Sequence, residues 1–470
     1  MDRNILLVEP GYKTKFPPMG LMKISTYHKM LGDKVFFVKG INGKVADKEY
    51  WDRIYISTVF TYNWKVTVET INYYKSVVKN DITRIKIGGI LASLMPKDLW
   101  QETGIAPVEG LLDKPGMLDD GNSTIVDDLI PDYELFDGTE HKYSLIADSY
   151  FGYVTRGCVR DCKFCAVNIL EPKFLDKNGL KDYIERIKST HGERKNLVLF
   201  DNNIIASDRF ESIINDIVDL GFHRGAKLNR SLRYVDFNQG TDARLVNKKV
   251  ASLLAKIQLK PLRIAFDFLG MQKVYSEAIR LAAGYGIRNL SNYILYNYKD
   301  TPEDLWKRLK INIDLNKELD LQIYSFPMKY IPLKSKDRSF IDEPNWNWQY
   351  VRTIQRITNV LKGAVMHSES FFHRAFGENV QEFQKILYMP EKILMNRGMD
   401  IGPDERDWVH KLDNLSDNEK TELIAILCKY RKTKELAYAY SQLNNQKIKN
   451  ILEYYLDDQA IAQQHLMLVN

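Results

Sequence analysis

Short apolar runs alternate with longer stretches of mixed character from the first residues onward. "NILLVEP" at 4–10 is apolar almost throughout, and "GLMKISTYHKMLG" at 20–32 repeats apolar positions every three to four residues and ends at a glycine. The alternation continues through "KVFFVKG", "DRIYISTV", the helical pattern "WKVTVETINYYKSVVK" at 64–79 and "TRIKIGG" at 83–89. Apolar runs of strand length separated by helical periods predict βαβ units and a mostly parallel sheet. Ligands of such sheets collect at the carboxyl ends of the strands, where Pro10–Gly11 and Gly88–Gly89 fall.

The pattern breaks over 104–145. The stretch "EGLLDKPGMLDDGNSTIVDDLIPDYELFDG" is acidic, rich in Gly, Pro and Asp, and weakly periodic. It reads as a linker or lid between domains. From about 150 the alternation resumes, with strand patterns at 150–157, 196–201, 233–240, 262–267, 291–297 and 321–330. Helical stretches at 179–191, 207–220, 242–256, 271–285 and 302–318 separate most of them. Six such units in a row predict a partial (β/α)6 barrel of the TIM type, curved and not necessarily closed. The chemistry of such a barrel sits at the carboxyl ends of its strands. Several of those ends are polar or glycine: Asp201, Asn238 to Gly240, Asp267 and Asn297. The remainder reads helical. The expected organisation is α/β: a Rossmann-like domain over 1–103, a linker or lid over 104–145, the barrel over 146–335 and a helical region over 336–470.

Composition adds limits. A chain of 470 residues fits two or three domains, and 44% apolar with 27% charged residues fits a soluble globular protein. No stretch approaches the roughly 20 apolar residues of a membrane span. The N-terminal apolar run of four residues is too short for a signal-peptide core, so the expected location is the cytoplasm. Net charge is +6, and residues 341–470 carry 16 Lys and Arg against 18 Asp and Glu, so the positive excess lies earlier. There is no basic tail, and nucleic acid is not indicated. One basic cluster, "HRGAKLNRSLR" at 223–233, reads as a solvated loop or, alternatively, as an anion-binding patch.

Three of the four cysteines fall within "GCVRDCKFCAVN" at 157–168, in the loop after the first barrel strand, spaced Cys158-x3-Cys162-x2-Cys165. Three readings compete. A structural zinc wants four ligands, and only one C-x2-C pair is present. A dithiol redox site leaves the third thiol unexplained. Three thiolates on a 4Fe–4S cube leave one iron open, and an open position marks a catalytic metal site. In that case Phe164 and the loop amides would shield the cluster and tune its potential. Cys428 lies in the apolar run "LIAILCKY" and is expected to be a buried core thiol.

"CVRDCKFC" resembles the signature of the radical S-adenosylmethionine (radical SAM) family, C-x3-C-x-aromatic-C, after the first strand of a partial (β/α)6 barrel. The resemblance covers roughly 150–330. It implies that Cys158, Cys162 and Cys165 hold a 4Fe–4S cluster whose open iron is chelated by S-adenosylmethionine. One electron then cleaves that cofactor to methionine and a 5′-deoxyadenosyl radical, which abstracts hydrogen from a substrate. It implies a reducing partner such as flavodoxin or ferredoxin. "LFDNN" at 199–203 stands where the family contacts the methionine amino group, so Asp201 and Asn202 are candidates, although the glycine-glycine-glutamate form common there is absent. In "FNQGTDAR", Gln239 and Asp242 would bond the ribose hydroxyls and Gly240 would admit the ligand to the backbone. Their other reading is a turn and a helix N-cap. "YILYNYKDTPEDL" at 293–305 resembles the segment beside the adenine and offers Asn297, while Thr301 and Asp304 also form a capping box with Pro302 in the first turn. Asp267 is the candidate for facing substrate.

The N-terminal residues "PPMGLMKISTYHKMLGDKVFFV" with "IKIGGILASLMP" resemble the cobalamin-binding-type domain that precedes the barrel in one branch of this family. The Asp-x-His-x-x-Gly motif that ligates cobalt is absent, since the chain runs "EPGYKTKFPP" after its first strand. Two readings stay open for this domain: it binds cobalamin, or it is vestigial and shapes the substrate entrance. The implied function is C–H functionalisation, methyl transfer included, of an unknown substrate. The alternative from a different class is a non-catalytic nucleic-acid-binding protein stabilised by zinc or an iron–sulfur cluster.

Overall fold

The computed structural model describes residues 3–456 apart from 47–49, 142, 178 and 399. It is a mixed α/β structure with parallel sheets that divides into two compact units: residues 1–263 with 331–340, and residues 264–330 with 341–470. Residues 457–470 of the expected helical region lie outside the described residues.

The first unit opens with β1 (Asn4–Glu9), β2 (Lys34–Lys39), β3 (Arg53–Thr58) and β4 (Ile85–Gly89), all parallel in the order β2-β1-β3-β4. β1 is central, and Ile5 to Val8 are wholly buried, as a strand covered on both faces must be. The helices Met19–Met30 and Trp64–Val77 supply the crossovers. In this strand order the direction of winding reverses between β1 and β3, which leaves a crevice beyond their carboxyl ends.

The stretch 104–145 has little regular structure, and its acidic residues pin it to the sheet domain. Asp132 Oδ2 accepts from Ser25 Oγ at 2.6 Å, Asp119 pairs with Arg3 at 3.3 Å, and Asp127 pairs with Lys23 at 3.1 Å. The chain then forms β5 (Ser149–Gly152), β6 (Thr155–Arg156), β7 (Leu175–Asp176) and β8 (Asn196–Leu199). The basic cluster folds as the hairpin β9 (Lys227–Leu228) and β10 (Ser231–Leu232), and β11 (Val235–Phe237) follows. β11, β8 and β5 form a parallel sheet in that order, with the helices Leu180–His191 and Phe210–Ile217 between them in sequence. The expected strand over 150–157 is broken at Tyr153 and Val154. The one expected over 262–267 is regular only at β12 (Leu262–Arg263).

The second unit contains β13 (Asn289–Tyr296) and β14 (Gln322–Lys329), parallel over eight paired positions. The helices Gln272–Gly284 and Pro302–Leu319 belong to the same unit, and the latter starts with the anticipated Thr301–Asp304 capping box. From Trp348 to Leu452 every regular segment is helical or 3-10. These helices bury Trp346, Phe372, Phe376, Phe383 and Trp408 in one apolar core with Leu305 and Leu309. No helix among the described residues is long and apolar enough to cross a membrane.

Candidate active site around the cysteine loop

The cysteine loop is an excursion closed at its base. β6 and β7 pair antiparallel, Thr155 with Asp176 and Arg156 with Leu175, so the eighteen residues between them leave and return at one place. Gly157 takes φ +74°, and a Cβ there would lie 2.2 Å from the carbonyl oxygen of Lys173. Only glycine fits that approach. Glu171 latches the far end. Its Oε2 accepts from the Gly157 amide at 2.6 Å and from Asn202 Nδ2 at 2.9 Å, and its Oε1 accepts from Arg156 at 3.2 Å. Within the loop the Cys165 amide donates to the Cys162 carbonyl at 3.0 Å, turning the chain.

Cys158, Cys162 and Cys165 are all half-buried, so the loop leaves each thiol partly accessible. Asn203 Nδ2 approaches Cys158 Sγ at 3.9 Å. Arg160, between the first two cysteines, donates through Nε to Asp242 Oδ2 at 2.7 Å. Phe164 is half-buried beside Cys165. Among the described residues no three His, Cys, Asp or Glu side chains converge as the shell of a single metal ion. A four-iron cube binds each thiolate to a different iron, so its ligands stand farther apart than those around one ion. The donor set, three thiols on one short loop, fits the cube by its chemistry. Cys428 lies in the second unit on the helix Asp417–Lys429, half-buried rather than fully buried as expected.

The other sequence candidates divide. Asp201 is fully buried. Its Oδ1 accepts from the Val154 amide at 2.9 Å and from the Thr155 hydroxyl at 2.7 Å, which fixes the break between β5 and β6, while Oδ2 has no partner. Burial pushes its carboxyl up to about 6, against those hydrogen bonds. Asn202 and Gln239 line a cavity described below. Gly240 follows in the turn, at φ +93°. Asp242 Oδ1 caps the short turn Ala243–Leu245 by accepting from the Arg244 amide, and both its oxygens carry arginine contacts. Asp267 and Asn297 belong to the second unit. The Asp267 carbonyl accepts from Arg308 at 2.6 Å. Asn297 sits at φ +65° and bridges segments of its own unit, donating to the Tyr330 carbonyl and accepting from the Asp342 amide.

A cavity of about 620 Å³ lies wholly within the first unit. Its walls include Ser57 to Val59 at the end of β3, Gly88 and Gly89 at the end of β4, the start of the helix Met19–Met30, and Cys165 with Asn202 and Gln239. The crevice of the parallel sheet thus opens onto the cysteine loop. The size is that of a small-molecule site. No histidine is among the described residues that line it. One stretch of wall is charged. Lys23, Arg156 and Lys177 converge on the Asp127 carboxylate at 3.1, 2.5 and 2.5 Å. Burial works to raise the Asp127 pKa, but the three cations hold it below the usual carboxylate range.

Sequence reasoning missed Glu171, Asn203, Arg160, Lys23, Arg156 and Asp127. Arg160 lay inside the cysteine motif and could have been singled out. So could Asn203, inside "LFDNN"; the others act across separations that carry no local pattern.

The arrangement defines a class of fold: a parallel α/β sheet domain joined to a βα sheet that carries a cysteine loop at its rim. The comparison with solved structures gives the same fold. The chain is similar to the radical S-adenosylmethionine methyltransferase TsrM from Kitasatospora setae, solved with tryptophan substrate and a SAM analogue. TM-score is 0.52 at 15% identity, over 71% of this chain and 75% of that one. It also aligns, at TM-score 0.47 and 14% identity, with the cobalamin-dependent S-adenosylmethionine radical enzyme OxsB over 96% of this chain and 75% of that one. A third alignment, with Streptococcus suis SuiB bound to its precursor peptide SuiA, has TM-score 0.31 at 12% identity over 52% and 55% of the two chains. No protein-family model and no curated protein matches the sequence. The likeness to TsrM is one of fold: a mixed α/β structure with parallel sheets.

Proposed function

We propose that the protein is a radical SAM enzyme, with Cys158, Cys162 and Cys165 as ligands of a 4Fe–4S cluster and the cavity beside Cys165 as the chamber where a substrate meets S-adenosylmethionine. The observation that carries this reading is the build of the loop. Three thiols sit on a segment fixed at its base by the β6–β7 pairing and at its end by Glu171, on the wall of a small-molecule cavity. A cluster bound there would supply one-electron reductive cleavage of S-adenosylmethionine. The chain's own residues do the rest. Glu171 and Arg160 orient the loop, Asn202 and Gln239 offer amides to a polar ligand, and the apolar walls exclude water. C–H functionalisation, methyl transfer included, is the reaction class this supports. A reducing partner of the flavodoxin or ferredoxin kind would supply the electron, and the barrel over 146–335, with Asp267 facing substrate and Asn297 just past the end of β13, is part of the proposal. Cobalamin is the second reading for the same cavity, favoured by the openings at the ends of β3 and β4 that face it. The vestigial reading is favoured by the lack of histidine among the described lining residues.

Anaerobic purification with iron and sulfide analysis tests the first step, and about four irons with four sulfides per chain is the expected result. Incubation with S-adenosylmethionine and dithionite then releases 5′-deoxyadenosine, and Cys162→Ala abolishes the release. Release that persists in that variant rejects the assignment. Stoichiometric retention of added cobalamin decides between the two readings of the sheet domain. A single zinc and no sulfide would favour the non-catalytic alternative.

A further inference from the structure

The charged corner of the cavity carries more information than its size. Most of the wall is apolar, with Ile56, Val59, Leu94, Leu111, Val126 and Leu333 among its residues. Into this wall project two cations that are more than nine-tenths buried, Lys23 at 5% and Arg156 at 8% exposure. Buried cations persist where paired, and these are paired with Asp127 and Glu171. Yet the pairing is incomplete on the donor side. Lys23 Nζ spends two of its three protons on Asp127, one on the carbonyl and one on Oδ1. Arg156 Nε has no hydrogen-bond partner. Every carboxylate oxygen facing them is already engaged, and Lys177 also meets Asp128 at 3.0 Å. Asp127 Oδ1 faces Lys23 and Arg156, Oδ2 faces Lys177, and both oxygens of Glu171 accept.

A second feature points the same way. The twelve-residue helix Met19–Met30 begins at this cavity, and its N-cap is Pro18, which makes no side-chain capping bond. The amides of Met19, Gly20 and Leu21 therefore have no intrahelical acceptor, and the positive end of the helix faces the cavity. Lys23 lies on the first turn and a half of the same helix. Burial, helped by the like charges of Arg156 and Lys177, also pushes its amine down to about 8 against the pull of Asp127.

We infer that the cavity binds a molecule with an apolar body and a single anionic group, of carboxylate type, seated on the helix start between Lys23 and Arg156. This rests on the proposed function only in calling the ligand the substrate, because binding itself needs no cluster. A ligand of this kind satisfies the spare donors with charge-assisted bonds and leaves its hydrocarbon against the apolar wall.

The test uses the full chain and three fluorescent probes that share one ring system: 1-pyrenebutyrate, neutral 1-pyrenebutanol and cationic 1-pyrenemethylamine, followed by anisotropy. The butyrate is expected to bind about tenfold or more tightly than the alcohol, and the amine least. Lys23→Met, which leaves Arg156 and Lys177 on Asp127, should remove most of the preference for the acid while the alcohol binds as before. A second variant guards against misfolding. A Cβ on Gly20 would meet nothing within 4 Å, so Gly20→Leu is compatible with the fold but fills the helix start. It should keep the melting temperature and lose all three probes. Equal affinity for acid and alcohol, or an acid preference unchanged in a folded Lys23→Met protein, overturns the inference. If no iron loads but the acid preference holds, the proposed chemistry fails and this site stands. If 5′-deoxyadenosine forms and the preference is absent, the reverse is true.

Discussion

Arg160 and Asp242 are joined across the rim of the first unit, with Nε of the arginine 2.7 Å from Oδ2 of the aspartate. Arg160 lies between two of the three loop cysteines, and Asp242 follows the turn after β11. The cysteine loop is thus tied to a strand end far from it in sequence. The same carboxylate also holds Arg244 through Oδ1 at 2.7 Å. Its pKa is lowered in spite of burial, because both arginines favour the ionised form.

Asp242→Asn keeps an oxygen for the Arg244 amide and removes the charge that both arginines share. Arg160 is about a third exposed, so the loss of folding stability should stay near 1 kcal/mol or below. The loop should nonetheless loosen. Hydrogen exchange of peptides covering 158–165 is expected to rise in the variant while exchange elsewhere is unchanged. Unaltered exchange there would show that the pair does not position the loop.

Gly157→Ala addresses the other end of the same loop. The alanine methyl would lie 2.2 Å from the Lys173 carbonyl oxygen, at a positive φ that side chains avoid. The backbone must shift, and the Gly157 amide then leaves Glu171. The expected result is a folded protein that no longer takes up iron after anaerobic reconstitution, read by iron content beside an unchanged far-ultraviolet circular dichroism spectrum.

The alternation of apolar runs and helical periods made β1 to β4, the helix Pro302–Leu319 and the helical character of 348–452 legible. These elements are set by local composition and by burial on one or both faces. The strands at the candidate site were read too long. Asp201 takes up the Val154 and Thr155 amides, and this break in the strand comes from one residue 46 positions away. The three cysteines stand out in the sequence because they fall within eight consecutive positions. Lys23 and Asp127 were not, since their contact spans 104 positions and each residue looks like an ordinary surface charge in its own segment. The acidic stretch 104–145 reads as a linker by composition, and its Asp119, Asp127 and Asp132 contact Arg3, Lys23 and Ser25 of the sheet domain.

His28 supplies a dependence on pH. Its ring is wholly buried, with Nδ1 2.7 Å from Asp33 and Nε2 2.9 Å from the Tyr55 hydroxyl. The neutral ring satisfies both by donating to Asp33 and accepting from Tyr55. Burial lowers its pKa, and the attraction of Asp33, already shared with Arg3, does not reverse the shift. The unfolded chain therefore binds a proton near pH 6.5 that the folded chain refuses, and stability falls as pH drops through that value. Melting temperature should decline from pH 7.5 to pH 5.5, and His28→Gln, less stable at neutral pH, should show a shallower decline. Parallel slopes for the two proteins would remove His28 as the source.

Arg308 offers the sharpest energetic test. It is fully buried in the second unit and donates to Asp300 Oδ2 and to the carbonyls of Leu295 and Asp267, each at 2.6 Å. Asp300 is itself buried, and burial holds its carboxyl above the ordinary range although Arg308 favours the ionised form. Arg308→Met leaves that carboxylate with only the Tyr298 amide and Trp346 indole on Oδ1 and no cation, and removes a donor from two carbonyls, a loss of about 3–5 kcal/mol. Without the arginine the Asp300 pKa rises further. An acid whose folded pKa exceeds its unfolded value weakens the fold as pH climbs past the unfolded value. The defect of the variant should therefore shrink on acidification. Urea unfolding of both proteins at pH 7 and pH 5 is expected to give a smaller difference at pH 5. A difference that is the same at both values would mean that Asp300 remains ionised without its partner and that the two lost carbonyl contacts carry the whole effect.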